Sequence, residues 1–211
     1  MKTINNHIFT KDIYDVLVID NFFTNECLEI LKDKMLRSKI NVRFNNYNSI
    51  NFTDTDYLTR KIVEDLKEQV ELPRFQRGWS FVYDNQGKGA QLHCDPSIIN
   101  LNIWLSSNDS VDNTSQNGLN IYKIKPPTGW SRNEWNSTSQ QSLKKCFNYI
   151  KENNIKPMKI KYKSNRAVFF NGAYFHETNK VSMKGGVDNK RISYTLLFGE
   201  NLEQASEWIK I

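Results

Sequence analysis

The stretch that decides the fold is "LHCDPSIINLNIWLS", residues 92–106, which opens with a histidine-x-aspartate pattern and continues as an alternating strand. In an extended chain, residues two apart point to the same face, so His93 and Asp95 direct an imidazole and a carboxylate to one side. These two groups form either half of a metal site or an ordinary polar pair at the end of a strand. The stretch alone leaves both interpretations open.

A third ligand would have to come from another part of the chain. The only later histidine is His176, in "YFHETNK" (174–180). Two histidines and one carboxylate on one face form the arrangement of non-haem Fe(II) sites, which leaves coordination positions open. We therefore predict His93, Asp95 and His176 as metal ligands and catalytic residues. The alternative for each histidine is a hydrogen-bonded strand residue without metal.

The segment "KRISYTLLFGE" (190–200) alternates in the same way and places Arg191, Ser193 and Thr195 on one face of a strand. A guanidinium that faces a barrel interior needs an anion, because an unpaired buried charge is costly. Its planar donors match a carboxylate in two-pronged fashion. The pattern predicts a carboxylate partner for Arg191, which is either a ligand or a structural Asp or Glu.

Short β-rich runs bounded by turn residues fill the chain after Pro73 and predict a sandwich or jelly roll. The predicted strands are 77–84, 89–95, 98–106, 118–124, 158–163, 165–172, 174–180 and 190–200. Residues 125–157 are long for a connection, so we interpret them as an insert with its own helix at 138–153.

The N-terminal part has a different texture. A short strand at 14–23 precedes helices at 24–38 and 55–70, and the Asn-rich residues 41–55 between them are predicted to form a loop. The chain is thus predicted to be one domain over 1–211, with an N-terminal part over 1–74 and a core over 75–200. The fold class is mainly β with N-terminal helices.

Composition limits the classes of function. Lys and Arg number 29 against 23 Asp and Glu, a net charge of +6 that suits an anionic small molecule or nucleic acid. No long basic run occurs, so nucleic acid is not favoured. Three widely spaced cysteines and no CxxC pattern argue against a disulfide framework and a zinc ribbon. Without an apolar run of about 20 residues or a signal peptide, we expect a cytoplasmic protein without a membrane partner, of unknown oligomeric state.

The order H-x-D, distant H and R-x-S resembles the Fe(II)/2-oxoglutarate-dependent oxygenase superfamily over roughly residues 75–200. The opening "VIDNFFTNECLEIL" (18–31) is similar to the strand and helix that begin its prolyl-hydroxylase-like branch. The resemblance implies a double-stranded β-helix, the cupin-like jelly roll. It also implies Fe(II), 2-oxoglutarate and O₂ as cofactor and cosubstrates, with succinate and CO₂ released as a C–H bond is hydroxylated.

The resemblance further implies roles for single residues. Arg191 would bind the distal carboxylate of 2-oxoglutarate with the help of Ser193, and Tyr83 would contact the same cosubstrate. Asn102 and Trp104 would line the cosubstrate pocket, Trp104 standing where relatives have a tyrosine. Halogenating relatives lack the acid at the position of Asp95, so its presence favours hydroxylation.

The substrate is left unnamed and is either a peptide or protein side chain or a small metabolite. Candidate substrate-binding residues are the arginines and tryptophans around the barrel mouth: Arg77, Trp79, Trp130, Arg132 and Trp135. Trp130 and Trp135 have the alternative role of packing the insert onto the barrel. Three other functions stay open: a cupin-type isomerase or hydrolase, a non-catalytic binding module, and a nucleic-acid demethylase.

Overall fold

The computed structural model describes residues 1–112, 116–136 and 138–200. Residues 201–211, the end of the predicted domain, lie outside the described residues. The strands of the described chain are β1 (Val16–Ile19), β2 (Val42–Arg43), β3 (Tyr47–Phe52), β4 (Phe75–Tyr83), β5 (Gln86–Gly87), β6 (Ser97–Trp104), β7 (Leu119–Tyr122), β8 (Met158–Ile160), β9 (Ala167–Phe170), β10 (Phe175–Thr178), β11 (Val181–Ser182) and β12 (Ile192–Glu200).

Two helices lie near the N-terminus and two lie in the insert: α1 (Asn25–Arg37), α2 (Tyr57–Lys67), α3 (Arg132–Trp135) and α4 (Gln140–Glu152). The caps of α1, α2 and α4 are Thr24, Asp56 and Ser139, whose side chains accept hydrogen bonds from backbone N–H groups of the first turn. These N–H groups have no partner within the helix, so the caps fix where each helix begins. The three helices predicted from sequence are confirmed.

The strands form two main antiparallel sheets. The major sheet has the order β1-β9-β6-β12-β4-β3-β2, and the minor sheet has the order β10-β7-β8. Strands β5 and β11 pair separately. From β1 to β4 the neighbours in the major sheet are far apart in sequence, which is the crossing-over expected of a jelly roll, whereas β2, β3 and β4 are consecutive.

The major sheet lies between the N-terminal helices and the minor sheet. On its outward face, β12 side chains such as Tyr194 and Leu196 share one buried cluster with Leu31 of α1 and Ile62 of α2. Its inward face meets the minor sheet, where Trp104 of β6 belongs to a second cluster with residues of β7, β8 and β9. The space between the two sheets is therefore the interior of the barrel.

The insert covers the other side of the minor sheet. Leu143, Cys146 and Ile150 of α4 pack in one cluster with Tyr122 of β7 and Phe175 of β10. The insert thus carries its own helices, as its length predicted. It shields from water a sheet face that three short strands alone would leave exposed.

The loop predicted over 41–55 is wrong, because this segment contains β2 and β3. Strand β3 pairs with β4 along its length, and Ile50 and Phe52 enter the outward-face cluster. Asparagine disfavours strands in general, but pairing and burial of the intervening apolar residues outweigh that tendency. Strands β1, β2 and β3 therefore extend the major sheet beyond the segment where the core was predicted to begin.

The strand predicted over 89–95 is not a regular strand. Its pairing with β10 consists of an isolated bridge between His93 and His176 and a hydrogen bond from the N–H of Thr178 to Ala90 O. The following residues bind elsewhere, since the N–H of Cys94 donates to Trp135 O and that of Asp95 donates to Gly172 O. Helices with both the length and the apolar composition for crossing a bilayer do not occur in the described parts of the chain.

Candidate metal centre and the pocket beside it

The three predicted ligands meet at one edge of the minor sheet. The backbones of His93 and His176 exchange two hydrogen bonds, of 3.0 and 2.8 Å, which bring residues far apart in sequence side by side. Asp95 is fixed separately by its 2.7 Å N–H bond to Gly172 O. The backbone therefore positions all three side chains, which does not require a continuous strand.

The ligating atoms of His93, Asp95 and His176 all lie within 4.8 Å of one another. His176 Nε2 is 3.3 Å from Asp95 Oδ2, and His93 Nε2 is 3.8 Å from Asp95 Oδ1. Ligands about 2.1 Å from a shared ion stand at separations of this order when they occupy adjacent positions. The three side chains thus form a set that could hold one divalent ion.

Hydrogen bonds at the far side of each imidazole set its orientation. His93 Nδ1 lies 2.6 Å from Gln91 O, and His176 Nδ1 lies 2.9 Å from Tyr174 O. A carbonyl only accepts, so each Nδ1 donates a hydrogen bond to it, and Nε2 is the nitrogen of each ring that faces Asp95. Such backbone partners are the usual support of metal-binding histidines.

The protonation states also suit a metal. Burial lowers the pKa of His93 to about 4, and neighbouring His176 acts in the same direction. Burial alone would raise the pKa of Asp95, but the hydrogen bond and charge of His176, with His93 and Arg77, hold it below its ordinary value. A neutral imidazole and an ionised carboxylate are the forms that bind metal ions.

Asn100 supports the carboxylate and was missed from the sequence. Its Nδ2 donates to Asp95 Oδ2, while its own Oδ1 has no hydrogen-bond partner among the described residues. Asn100 precedes Asn102 and Trp104 by two and four positions on β6, so all three share the inward face. Polar residues at alternate positions of an otherwise apolar strand were the signal that would have revealed it.

Arg191 is 1% exposed and has an incomplete set of partners. Its Nε donates to Asn117 O at 2.8 Å, whereas Nη1 has no hydrogen-bond partner among the described residues. Aromatic rings surround the guanidinium, with Tyr83, Trp104 and Tyr162 centroids 4.6, 5.8 and 6.0 Å from Cζ. Aromatic rings stabilise a cation but do not accept the hydrogen bonds of its N–H groups. An anion bound at this site would accept them.

The other predicted cosubstrate residues lie on the same inward face. Across the major sheet, Ser193 stands next to Trp104, and Thr195 stands next to Asn102. Asn102 Nδ2 donates to Thr195 Oγ1 at 2.8 Å, but Asn102 Oδ1 and Trp104 Nε1 are buried without partners in the described structure. Like Arg191 Nη1, these polar atoms could form hydrogen bonds with a ligand bound between the sheets.

Tyr83 links this region to the metal ligands. Its hydroxyl lies 3.3 Å from Thr178 Oγ1, and Thr178 follows His176 by two residues on β10. Its backbone N–H donates to Arg191 O at 2.9 Å. Arg191 and the candidate metal centre thus face the same space between the sheets, although the role of Tyr83 in cosubstrate binding stays a prediction.

The candidate substrate residues divide into two groups. Arg77 and Trp79 line a pocket of about 430 Å³ that also reaches His93 and Asp95. Trp130 instead contacts Tyr149 of α4, with ring centroids 5.4 Å apart. Trp135, 2% exposed, packs within the cluster between the insert and the minor sheet.

Arg132 begins α3, close enough to Arg77 for the two charges to interact. Its role in substrate binding therefore stays a prediction, as do those of Arg77 and Trp79. The pocket also has a contribution that the sequence did not suggest, because Phe44 and Tyr47 of the β2–β3 region line it. The incorrect loop prediction over 41–55 concealed them.

No protein-family model and no curated protein matches the sequence. Solved structures do match. HygX from Streptomyces hygroscopicus, crystallised with nickel and 2-oxoglutarate, has a TM-score of 0.60 at 10% identity, covering 92% of this chain and 88% of its own. The chain has the fold of the Fe(II)/2-oxoglutarate oxygenases. The predicted double-stranded β-helix core is confirmed.

Two further structures show how widely this fold is shared. The non-haem α-ketoglutarate-dependent epimerase SnoN from nogalamycin biosynthesis has a TM-score of 0.60 at 10% identity, over 88% of this chain and 78% of that one. A Pseudomonas putida prolyl-4-hydroxylase has a TM-score of 0.53 at 9% identity, over 88% and 92%. Since these proteins carry different activities, the fold does not select the reaction.

Proposed function

We propose that the protein is a non-haem Fe(II)/2-oxoglutarate-dependent dioxygenase that hydroxylates a C–H bond. One observation carries the proposal: a His-Asp-His set and a buried arginine, for which the described residues provide no anionic partner, face the same interior. A metalloenzyme that needs no cosubstrate has no use for the second feature. The structural neighbours support the proposal, since HygX was crystallised with nickel and 2-oxoglutarate in one structure and with iron in another.

In this proposal His93, Asp95 and His176 hold the iron through Nε2, a carboxylate oxygen and Nε2. Asn100 keeps the Asp95 carboxylate turned toward the ion. Arg191 binds the distal carboxylate of 2-oxoglutarate, whose oxygens accept the hydrogen bonds that Nη1 donates.

When bound, iron and 2-oxoglutarate supply the oxidation: one atom of O₂ enters the substrate as hydroxyl, the other enters succinate, and CO₂ leaves. The side chains of the protein orient the bound molecules and exclude water. Trp104 and Tyr162 are both buried against Arg191 and restrict water near its guanidinium. The carboxylate of Asp95 supports hydroxylation over halogenation, because it fills the position that a halide would need.

The other functions considered from the sequence have weaker support. A cupin-type isomerase or hydrolase, or a binding module, would leave the buried cation of Arg191 without a purpose. A nucleic-acid demethylase would need a strongly basic approach to the metal, yet one wall of the adjoining pocket is largely aromatic.

The test measures succinate formed from 2-oxoglutarate by metal-stripped protein reconstituted with Fe(II). We expect slow turnover without substrate, and less than about 1% of that rate in His176→Ala, because the remaining two ligands hold the ion poorly. His7→Gln is the matched control, since His7 stacks on Phe22 outside the site.

Binding measurements separate the alternatives. Iron bound at one equivalent without measurable 2-oxoglutarate affinity would contradict the proposal and favour another metalloenzyme. Much less than one equivalent of metal at saturating Fe(II) would favour a non-catalytic binding module.

A further inference from the structure

The pocket beside the metal centre has one wall of unusual composition. Phe44, Tyr47, Trp79 and Phe81, here called the aromatic wall, line it from β3, β4 and the residue after β2. Their rings form a connected series: Phe44 to Tyr47 at 4.7 Å, Tyr47 to Phe81 at 4.6 Å, and Phe81 to Trp79 at 6.1 Å between centroids. None of the four is fully buried, unlike the aromatic residues of the outward-face cluster.

Partly exposed rings in a concave wall are placed to contact a ligand, because the same rings in a protein core would be covered. Trp79 and Phe81 are close to parallel, with 26° between their planes. Aromatic faces attract another ring in offset or edge-on geometry by about 0.5–1.5 kcal/mol beyond the effect of burial. The wall therefore favours a ligand that presents a ring.

The end of the pocket near the candidate metal centre is lined by an arginine, Arg77. Arg77 pairs across the sheet with Leu197, which pairs with Asn100, so Arg77 lies level with the residue that holds Asp95. Burial lowers the pKa of Arg77, the charge of Asp95 opposes this shift, and Arg132 adds to it. Arg77 and Arg132 thus place two guanidinium groups near the Asp95 carboxylate at this end of the pocket.

Size narrows the ligand further. A volume of about 430 Å³ lies in the lower part of the range of small-molecule pockets, roughly 300–1,000 Å³. That space suits a small molecule and is restrictive for a folded peptide. The guanidinium of Arg77 also lies 5.9 Å from the ring of Trp79, so cation and ring contacts are adjacent.

We propose that the substrate is a small molecule in which an aromatic ring is joined to a carboxylate. This proposal rests on the proposed function. The ring lies against the aromatic wall, and the carboxylate binds Arg77 at the metal end of the pocket. Arg191 and Arg77 then divide the work, one binding the cosubstrate and the other the substrate. The C–H bond that reacts is held between the ring contact and the carboxylate contact.

The test compares four probes on the Ni²⁺-loaded protein by calorimetry, with and without 2-oxoglutarate. The probes are 3-phenylpropanoate, its neutral amide, hexanoate without a ring, and adenosine monophosphate. We expect 3-phenylpropanoate to bind at least tenfold more tightly than the amide and than hexanoate. Equal affinities for acid and amide would overturn the role of charge, and equal affinities for 3-phenylpropanoate and hexanoate would overturn the role of the ring.

Substitutions test whether Arg77 causes the preference for the acid over the amide. In Arg77→Gln the acid should lose its advantage over the amide, whereas the control Arg74→Gln, an exposed arginine outside the pocket, should retain it. An unchanged preference in Arg77→Gln would overturn the proposal. If Arg77→Gln fails to fold, the comparison of acid with amide on the unmodified protein still decides.

Other outcomes identify a different substrate class or a different failure. Tighter binding of adenosine monophosphate than of 3-phenylpropanoate would indicate a nucleotide and overturn the aromatic carboxylate. Succinate formation is measured separately, so turnover without probe preference contradicts only the substrate class. Probe preference without turnover or 2-oxoglutarate affinity contradicts the proposed function instead.

Discussion

The two faces of the major sheet differ sharply, although their side chains alternate along the same strands. The outward residues of β12 are Ile192, Tyr194, Leu196 and Phe198, all in the cluster beneath α1 and α2. The inward residues Ser193 and Thr195, with Arg191 just before the strand, are polar and equally buried. Along β12 both faces are thus buried, but next to its inward residues stands Arg191, whose Nη1 has no hydrogen-bond partner among the described residues.

This difference indicates that the outward face serves stability and the inward face serves ligand binding. Apolar burial on the outward face contributes stability at about 25 cal/mol per Å². Unpaired polar atoms on the inward face lower stability, and a protein retains them where a ligand completes their bonds. Substitutions on the two faces should therefore have opposite signatures, and four experiments test this, from the largest expected effect to the smallest.

Leu196→Ala should lower the free energy of unfolding by about 2–5 kcal/mol, because it leaves a cavity in the outward-face cluster. Its neighbour Thr195→Ala, on the inward face, should cost only about 1 kcal/mol by removing the acceptor for Asn102. Urea denaturation of both variants gives the values. Equal losses would show that the two faces contribute alike to stability.

Arg191→Leu should weaken 2-oxoglutarate binding by about 2–4 kcal/mol, or roughly 30-fold to 1,000-fold, since a buried charge pair loses one partner. The ligand-free protein should keep or gain stability, because the substitution removes a buried cation that has no anionic partner in the described part of the chain. Calorimetry and thermal melting of the same preparation check both parts. A large loss of stability in the absence of ligand would mean that Arg191 serves the fold.

Acid should destabilise the metal-free protein through His93. Its pKa in the folded state, about 4, is below the ordinary value of 6.5, so the unfolded chain takes up the proton first as pH falls. Stability should therefore fall between about pH 6.5 and pH 4, by about 2 kcal/mol at pH 5, and this group should have no effect above pH 7. The His93→Gln variant, measured by urea denaturation at pH 5 and at pH 7, should lack this component of the pH dependence.

Asn100→Ala should weaken metal binding about tenfold or more, in line with the loss of other groups that orient a ligand. The expected change is small because Asp95 keeps its backbone bond to Gly172 and its contact with His176. Titration of metal-stripped protein with a chelator as competitor gives the affinity. An unchanged affinity would show that Asn100 does not position the carboxylate.

The sequence predicted those features that depend on alternation and spacing. His93, Asp95, Arg191 and Ser193 were placed by a period of two, and the structure puts each on the expected side. The three helices followed from their caps and apolar stripes. These signals are local, so they survive without knowledge of the neighbours in space.

The features that were missed depend on contacts between distant segments. Strand β3 is polar at most positions, and its pairing with β4 cannot be seen from the segment itself. The irregular path around His93 results from bonds to residues near 135, 172 and 176. Asn117 and Tyr162 approach Arg191 only through the crossing connections of the jelly roll, so no spacing rule indicates them.

The bridge between His93 and His176 has a further consequence. Its two hydrogen bonds join segments on the order of 80 residues apart along the chain, and a third bond, from the N–H of Thr178 to Ala90 O, lies beside them. An ion held by both side chains would cross-link these segments much as a disulfide does, and closing so long a loop restricts the unfolded chain substantially. Loading the centre should therefore slow local separation of β10 from the segment around His93, and backbone amide exchange at these two histidines would report the occupancy of the site.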